Sequence, residues 1–121
     1  MVVNNSKLVA VPLVIASGAA VSEAMPLMGK SAVGVQMPGT WTAADLGIEV
    51  SQDNTTWVPV AAATGGGPLL LDALASIYIA IDPNLTRGAK FVRFTSKDTS
   101  DGTAENQAAA RTLIVSRRLA A

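Results

Sequence analysis

The chain is interrupted too often to build helices. Pro12, Pro26, Gly29, Pro38-Gly39, Asp53-Asn54, Gly65-Gly66-Gly67-Pro68, Asp82-Pro83, Gly88 and Asp101-Gly102 are spread over its 121 residues. Proline fixes φ and removes a backbone donor, glycine admits positive φ, and Asp and Asn bond their own backbone two residues on. Between these breaks lie short runs rich in β-branched residues. Roughly seven to nine short antiparallel strands, with turn signals about every 8–12 residues, is the pattern of an all-β sandwich. No segment carries a convincing helical spacing longer than about two turns.

Leu8 to Ile15 (LVAVPLVI) reads as a strand, and Pro12 inside it predicts an edge position or a bulge. Ala32 to Met37 reads as a second strand after a turn at Gly29-Lys30. Leu46 to Ser51 alternates, with Ile48 and Val50 on one face and Glu49 and Ser51 on the other. Asp53-Asn54 turns the chain into Trp57 to Ala61. Thr64 to Pro68 (TGGGP) reads as a loop. Leu69 to Ile81 begins with a short helical spacing and ends as a strand over Ile77 to Ile81. Phe91 to Ser96 and the segment from Arg111 (RTLIVSRRL) supply the last two strands. The apolar run at Leu8 to Ala16 is shorter than the ~20 residues of a membrane span, and an ordered strand is expected there rather than a secretory signal.

Composition removes whole classes of function. There is no Cys and no His, which excludes disulfides, thiol nucleophiles, histidine bases and nearly all zinc or copper sites. Nine Lys and Arg balance nine Asp and Glu, so there is no basic surplus to hold nucleic acid. Aromatic residues are 4% of the chain, too few for base-stacking platforms. Charged residues are 15% of the total, against about 25% in typical domains, which is compatible with a surface covered by partners.

The remaining candidates read as structure. Asp98 and Asp101 lie in an Asp-rich loop (KDTSDGT) that lacks the terminal Glu of an EF-hand, so a solvated turn is expected. The glycines of TGGGP lack the Lys-Ser/Thr of a phosphate loop. Lys30 and Ser31 are adjacent, and neighbours on a strand point to opposite faces, which speaks against a Ser-Lys dyad. Met25, Met28 and Met37 read as core filling, Arg117 and Arg118 as a pair on opposite faces, and Trp41 and Trp57 as core anchors. No constellation points to an enzyme, and none calls for a cofactor or metal.

The order of several segments resembles a family of small tailed-bacteriophage virion proteins, the capsid decoration or cement proteins. The segments are PLMGKSAVGVQMPGTWTAADL, EVSQDNTTWVPV with its Ser-x-Asp-x-x-x-Trp, AKFVRFTS, and NQAAARTLIVSRR. The hairpin and the FVRF strand are also similar to the galactose-binding-like jelly-roll β-sandwich. The resemblance spans about Ile15 to Leu119. It implies an N-terminal arm and first strand over residues 1–14 and a single jelly-roll domain over 15–121. It implies a homotrimer, made in the host cytoplasm, that sits on the outer capsid surface and bridges major capsid subunits. Neither nucleic acid nor membrane is an expected partner. Expected partner contacts are the arm, Val2, Val3, Asn4 and Asn5, and two loops, through Gly65 and Gly66 and through Asp98 and Asp101. The alternative is a carbohydrate-binding β-sandwich module of a tail fibre or adhesin, which would expose Trp41 or Trp57.

Overall fold

The structure, a computed structural model, describes residues 8–62 and 66–119. Nine strands follow in order: β1 Leu8–Ile15, β2 Met25–Pro26, β3 Lys30–Gln36, β4 Asp45–Ser51, β5 Val58–Pro59, β6 Leu70–Leu71, β7 Tyr78–Ala80, β8 Phe91–Lys97 and β9 Arg111–Leu119. One 3-10 turn, Pro83–Leu85, is capped by the Asp82 carboxylate, which accepts from the Asn84 amide at 2.9 Å.

All pairings are antiparallel and form two sheets, ordered β1-β9-β3-β7 and β2-β8-β4-β5, with β6 also along β4. β5 and β6 lie against the same strand, opposite Glu49–Val50 and Leu46–Gly47, so together they form one strand line broken by an excursion between them. Counted that way, the first strand pairs the last, the second the next to last, the third β7, and β4 the broken line. These pairs alternate between the two sheets. A long hairpin rolled up across two sheets is the jelly roll, and the all-β expectation is met.

Inner faces follow the period of two. On β1 and β9, Leu13 sits opposite Leu113 and Val11 opposite Val115. Across the core stand Met25, Leu46, Ile48, Val92 and the fully buried Phe94. Pro12 lies in β1, an edge strand, where its missing N–H disturbs no inner ladder. In β3 the register slips between Ala32 and Gly34, leaving Val33 as a bulge. The bulge has a use. The Ala32 amide donates to Thr86 Oγ1 (2.9 Å), and the Val33 carbonyl accepts from Ile81 (3.0 Å), docking the β7–β8 connection.

Three expectations need correction. The short helical spacing at the start of 69–81 forms no helix: β6 and an exposed connection occupy it, and Leu74 is 67% exposed, while the strand expected over Ile77 to Ile81 forms as β7. Of the methionines, Met25 and Met37 are buried, but Met28 is 70% exposed. Trp41 packs half-buried against the core, whereas Trp57 stands outside it. Its ring covers the Arg93 guanidinium at 4.4 Å, and Arg93 in turn binds Glu49 at 2.7 Å. An amphipathic ring finds a cation on the outer sheet face as readily as a core wall.

Candidate functional site

The roll sorts the connections to two ends, and with them the charges. At one end lie the connections after β1, β3, β6 and β8, with Glu23, Asp45, Asp72, Asp98, Asp101 and Glu105 against Lys97 and Arg111. At the other lie the connections after β2, β4 and β7 and the end of β9, with Lys30, Arg87, Lys90, Arg117 and Arg118 against Asp53 and Asp82. A chain with no net charge is thus folded into a molecule with one acidic and one basic end. Nothing in the linear sequence displays this, because four separated segments supply the acidic residues and three the basic ones.

The basic end also exposes apolar side chains, as the acidic end does at Val21, Leu74 and Ile77. Leu27, Met28, Gly29 and Lys30 make a tight turn closed by the Lys30 amide on the Leu27 carbonyl at 2.9 Å. Met28 and Gly29 both have positive φ, 54° and 80°, as the central residues of a type I′ turn require, here carrying the chain from one sheet to the other. Asn or Gly would suit residue 28 better. Met there is strained and holds its thioether side chain out in solvent. Leu8 and Leu119, 51% and 42% exposed, flank Arg118 at the same end. A cleft of about 520 Å3 opens between Met28, Lys30, Arg87, Lys90 and Phe91, and no carboxylate lines it. Arg117 faces inward at the mouth of the sandwich, where its guanidinium donates to the Pro26 carbonyl. Arg118 points out. The opposite-face expectation for the pair holds.

At the acidic end a buried side chain ties three connections together. Gln107, 1% exposed, accepts from the Thr42 amide (2.8 Å) and donates to the Thr42 carbonyl (3.0 Å) and to Ser96 Oγ (2.9 Å). Its own amide and carbonyl bond Ala19 and Gly18. Arg111 donates to Gln107 Oε1, Thr40 Oγ1 and Thr42 Oγ1. Asp45 is pushed above the usual carboxylate range, first by burial and then by the charges of Asp72 and Asp98.

The residues expected to contact a partner do not form one surface. Val2, Val3, Asn4, Asn5 and Gly65 lie outside the described residues. Gly66 and Asp101 line a single cleft on the outer face of the second sheet, so the two loops singled out in the sequence do meet. Asp98 is a turn organiser. Its Oδ1 accepts from Ser100 Oγ (2.6 Å), the Ser100 amide (2.8 Å) and the Asp101 amide (3.3 Å), and these bonds hold its pKa below the ordinary value. Asp101 likewise accepts from the Thr103 amide and hydroxyl at 3.0 and 2.7 Å. Ser31 is buried and Lys30 half-exposed on opposite faces of β3. Among the described residues no group of three or more His, Cys, Asp or Glu is placed to hold a metal ion.

A scan against protein-family models finds no match, and a search of curated proteins finds no relative. What the molecule defines by itself is a class: a jelly-roll β-sandwich with charge-segregated ends.

Proposed function

We propose that this protein is a virion structural protein, a decoration or cement subunit that binds the outer surface of a phage capsid and bridges neighbouring major capsid subunits. The observation that carries this reading is the basic end, where Met28, Leu8 and Leu119 stand exposed among Lys30, Arg87, Lys90 and Arg118. Exposed apolar side chains set in a surplus of basic ones fit a contact with an acidic, partly apolar protein surface. A strained, protruding methionine suits an adaptable contact of that kind. The resemblance in segment order supports the same reading, as does the jelly roll it implies.

The mechanism is linkage. A subunit that binds only the assembled shell stabilises that shell by mass action. Association as a homotrimer multiplies weak single contacts into avidity. The test is co-sedimentation with undecorated capsids. Saturable binding at a fixed ratio to the major capsid protein is expected, together with its loss in a Lys30→Glu/Lys90→Glu variant and its weakening in Met28→Ser. A protein that stays in the supernatant at low salt refutes the reading.

A further inference from the structure

The outer face of the β2-β8-β4-β5 sheet holds a cleft of about 490 Å3, away from the basic end. Its floor is the cross-strand pair of Gly47 and Thr95. Thr95 Oγ1 occupies space that a Cβ on residue 47 would need, so glycine is required for the hydroxyl to sit there. Thr95 is 2% exposed, and its Oγ1 has no hydrogen-bond partner. A buried hydroxyl left unpaired is destabilising, and valine has nearly the same shape without that penalty. Threonine at this position is therefore best explained by a partner that arrives from outside. Leu70 lies over the pair, its Cδ2 3.8 Å from the same point above Gly47, and it is 37% exposed. The Lys97 stem closes in as well, its Cγ 3.6 Å from that point, so a ligand reaches the hydroxyl by turning these two flexible side chains aside.

The walls indicate the chemistry. Pro59, Pro68 and Leu70 give an apolar side, and Glu49, Lys97 and Asp101 give a polar rim. Arg93 holds Glu49 in place at 2.7 Å. With Glu49 paired to Arg93, the rim is left with Asp101 against Lys97, a balance that favours a neutral ligand, and the carboxylates offer acceptors to its hydroxyls. We propose that this cleft binds a neutral polyhydroxylated ring, such as a pyranose or cyclic polyol, with its C–H face on the prolines and one hydroxyl bonded to Thr95 Oγ1. Neither tryptophan lines the cleft, and it lies apart from the basic end.

The experiment is a titration of the labelled protein with glucose, galactose, mannose and myo-inositol, followed by amide NMR, with thermal melts alongside. Fast-exchange shifts confined to the surroundings of Gly47, Thr95, Lys97 and Gly102 are expected for at least one probe. Thr95→Val should weaken that binding about tenfold, the loss of one hydrogen bond, while melting at the same or a higher temperature. Lys97→Met, a change at the rim, should also weaken it, and decides the matter if Thr95→Val does not fold. No shifts with any probe, shifts centred elsewhere, or a Thr95→Val protein that melts lower and binds unchanged would each overturn the proposal.

Discussion

Replacing Gln107 by leucine should cost this small protein a large part of its stability. The side chain is of similar size, so the core volume hardly changes. What changes is satisfaction of polar groups. The Thr42 amide and carbonyl, the Ser96 hydroxyl (0% exposed) and Arg111 Nε all lose a partner. A buried group left unpaired costs about 1–3 kcal/mol. Arg111 is partly exposed and recovers water; Thr42 is half-buried, and taking its two groups and the Ser96 hydroxyl at the low end gives about 3 kcal/mol. Domains of this kind have roughly 5–15 kcal/mol in total. Urea unfolding followed by far-UV circular dichroism measures it as a fall in midpoint at constant slope. Gln107→Glu keeps the acceptor that serves Thr42 and Arg111, and should lose less. A Gln107→Leu loss under about 1 kcal/mol would refute the reasoning, because the three connections would then be held by something other than this side chain.

Other changes test other parts of the fold. Gly34→Ala drives a methyl group into the Tyr78 ring that lies over Gly34, and should destabilise by about 1–3 kcal/mol; Tyr78→Ser, at a 58% exposed position, should relieve most of that loss in the double variant when both are melted in parallel. Arg93→Met removes the cation from the face of Trp57 and the partner of Glu49, and should shift the Trp57 emission while lowering stability by about 0.5–1 kcal/mol. Asp53 accepts from the Thr55 and Thr56 amides and the Ser51 hydroxyl, which lower its pKa to about 2. Its folded-state pKa lies below its unfolded value, so the contribution of this turn is complete above about pH 4 and fades as pH falls toward 2; an NMR titration of the Asp53 carboxyl should show that midpoint, and one near the ordinary value would contradict the turn geometry.

Much of the fold was legible because it is local. Turn chemistry and period-two alternation placed β1 and β9 to the residue, and Pro12 announced the edge. The start of the 69–81 segment misled, though its late strand did form as β7, because Leu69, Leu70, Leu71, Asp72 and Leu74 have helical spacing, yet β6 takes its pattern from the strand it lies on, β4, not from its own period. Trp57 misled because burial statistics describe an average tryptophan, and this one had Arg93 within reach. The site was far less legible. Loop composition does foretell that Gly66 and Asp101 are exposed, but not that they face each other. The polarised ends depend on which connections the roll gathers together, and Gln107 looks like any surface glutamine until its loop is folded.

The register of the outermost pair has a consequence for re-engineering. Leu8 lies opposite Arg118 across the β1–β9 ladder, so the two strands begin and end side by side. A linker of a few residues can join Leu119 to Leu8 without disturbing a single strand pair. New ends can then be cut in the excursion between Ala61 and Pro68, which interrupts only the broken strand line. Such a circular permutant keeps the roll but opens the chain beside Ala61 and Pro68, along the second sheet, rather than beside Leu8 and Leu119 at the basic end. Cargo fused there would leave the basic end free to dock.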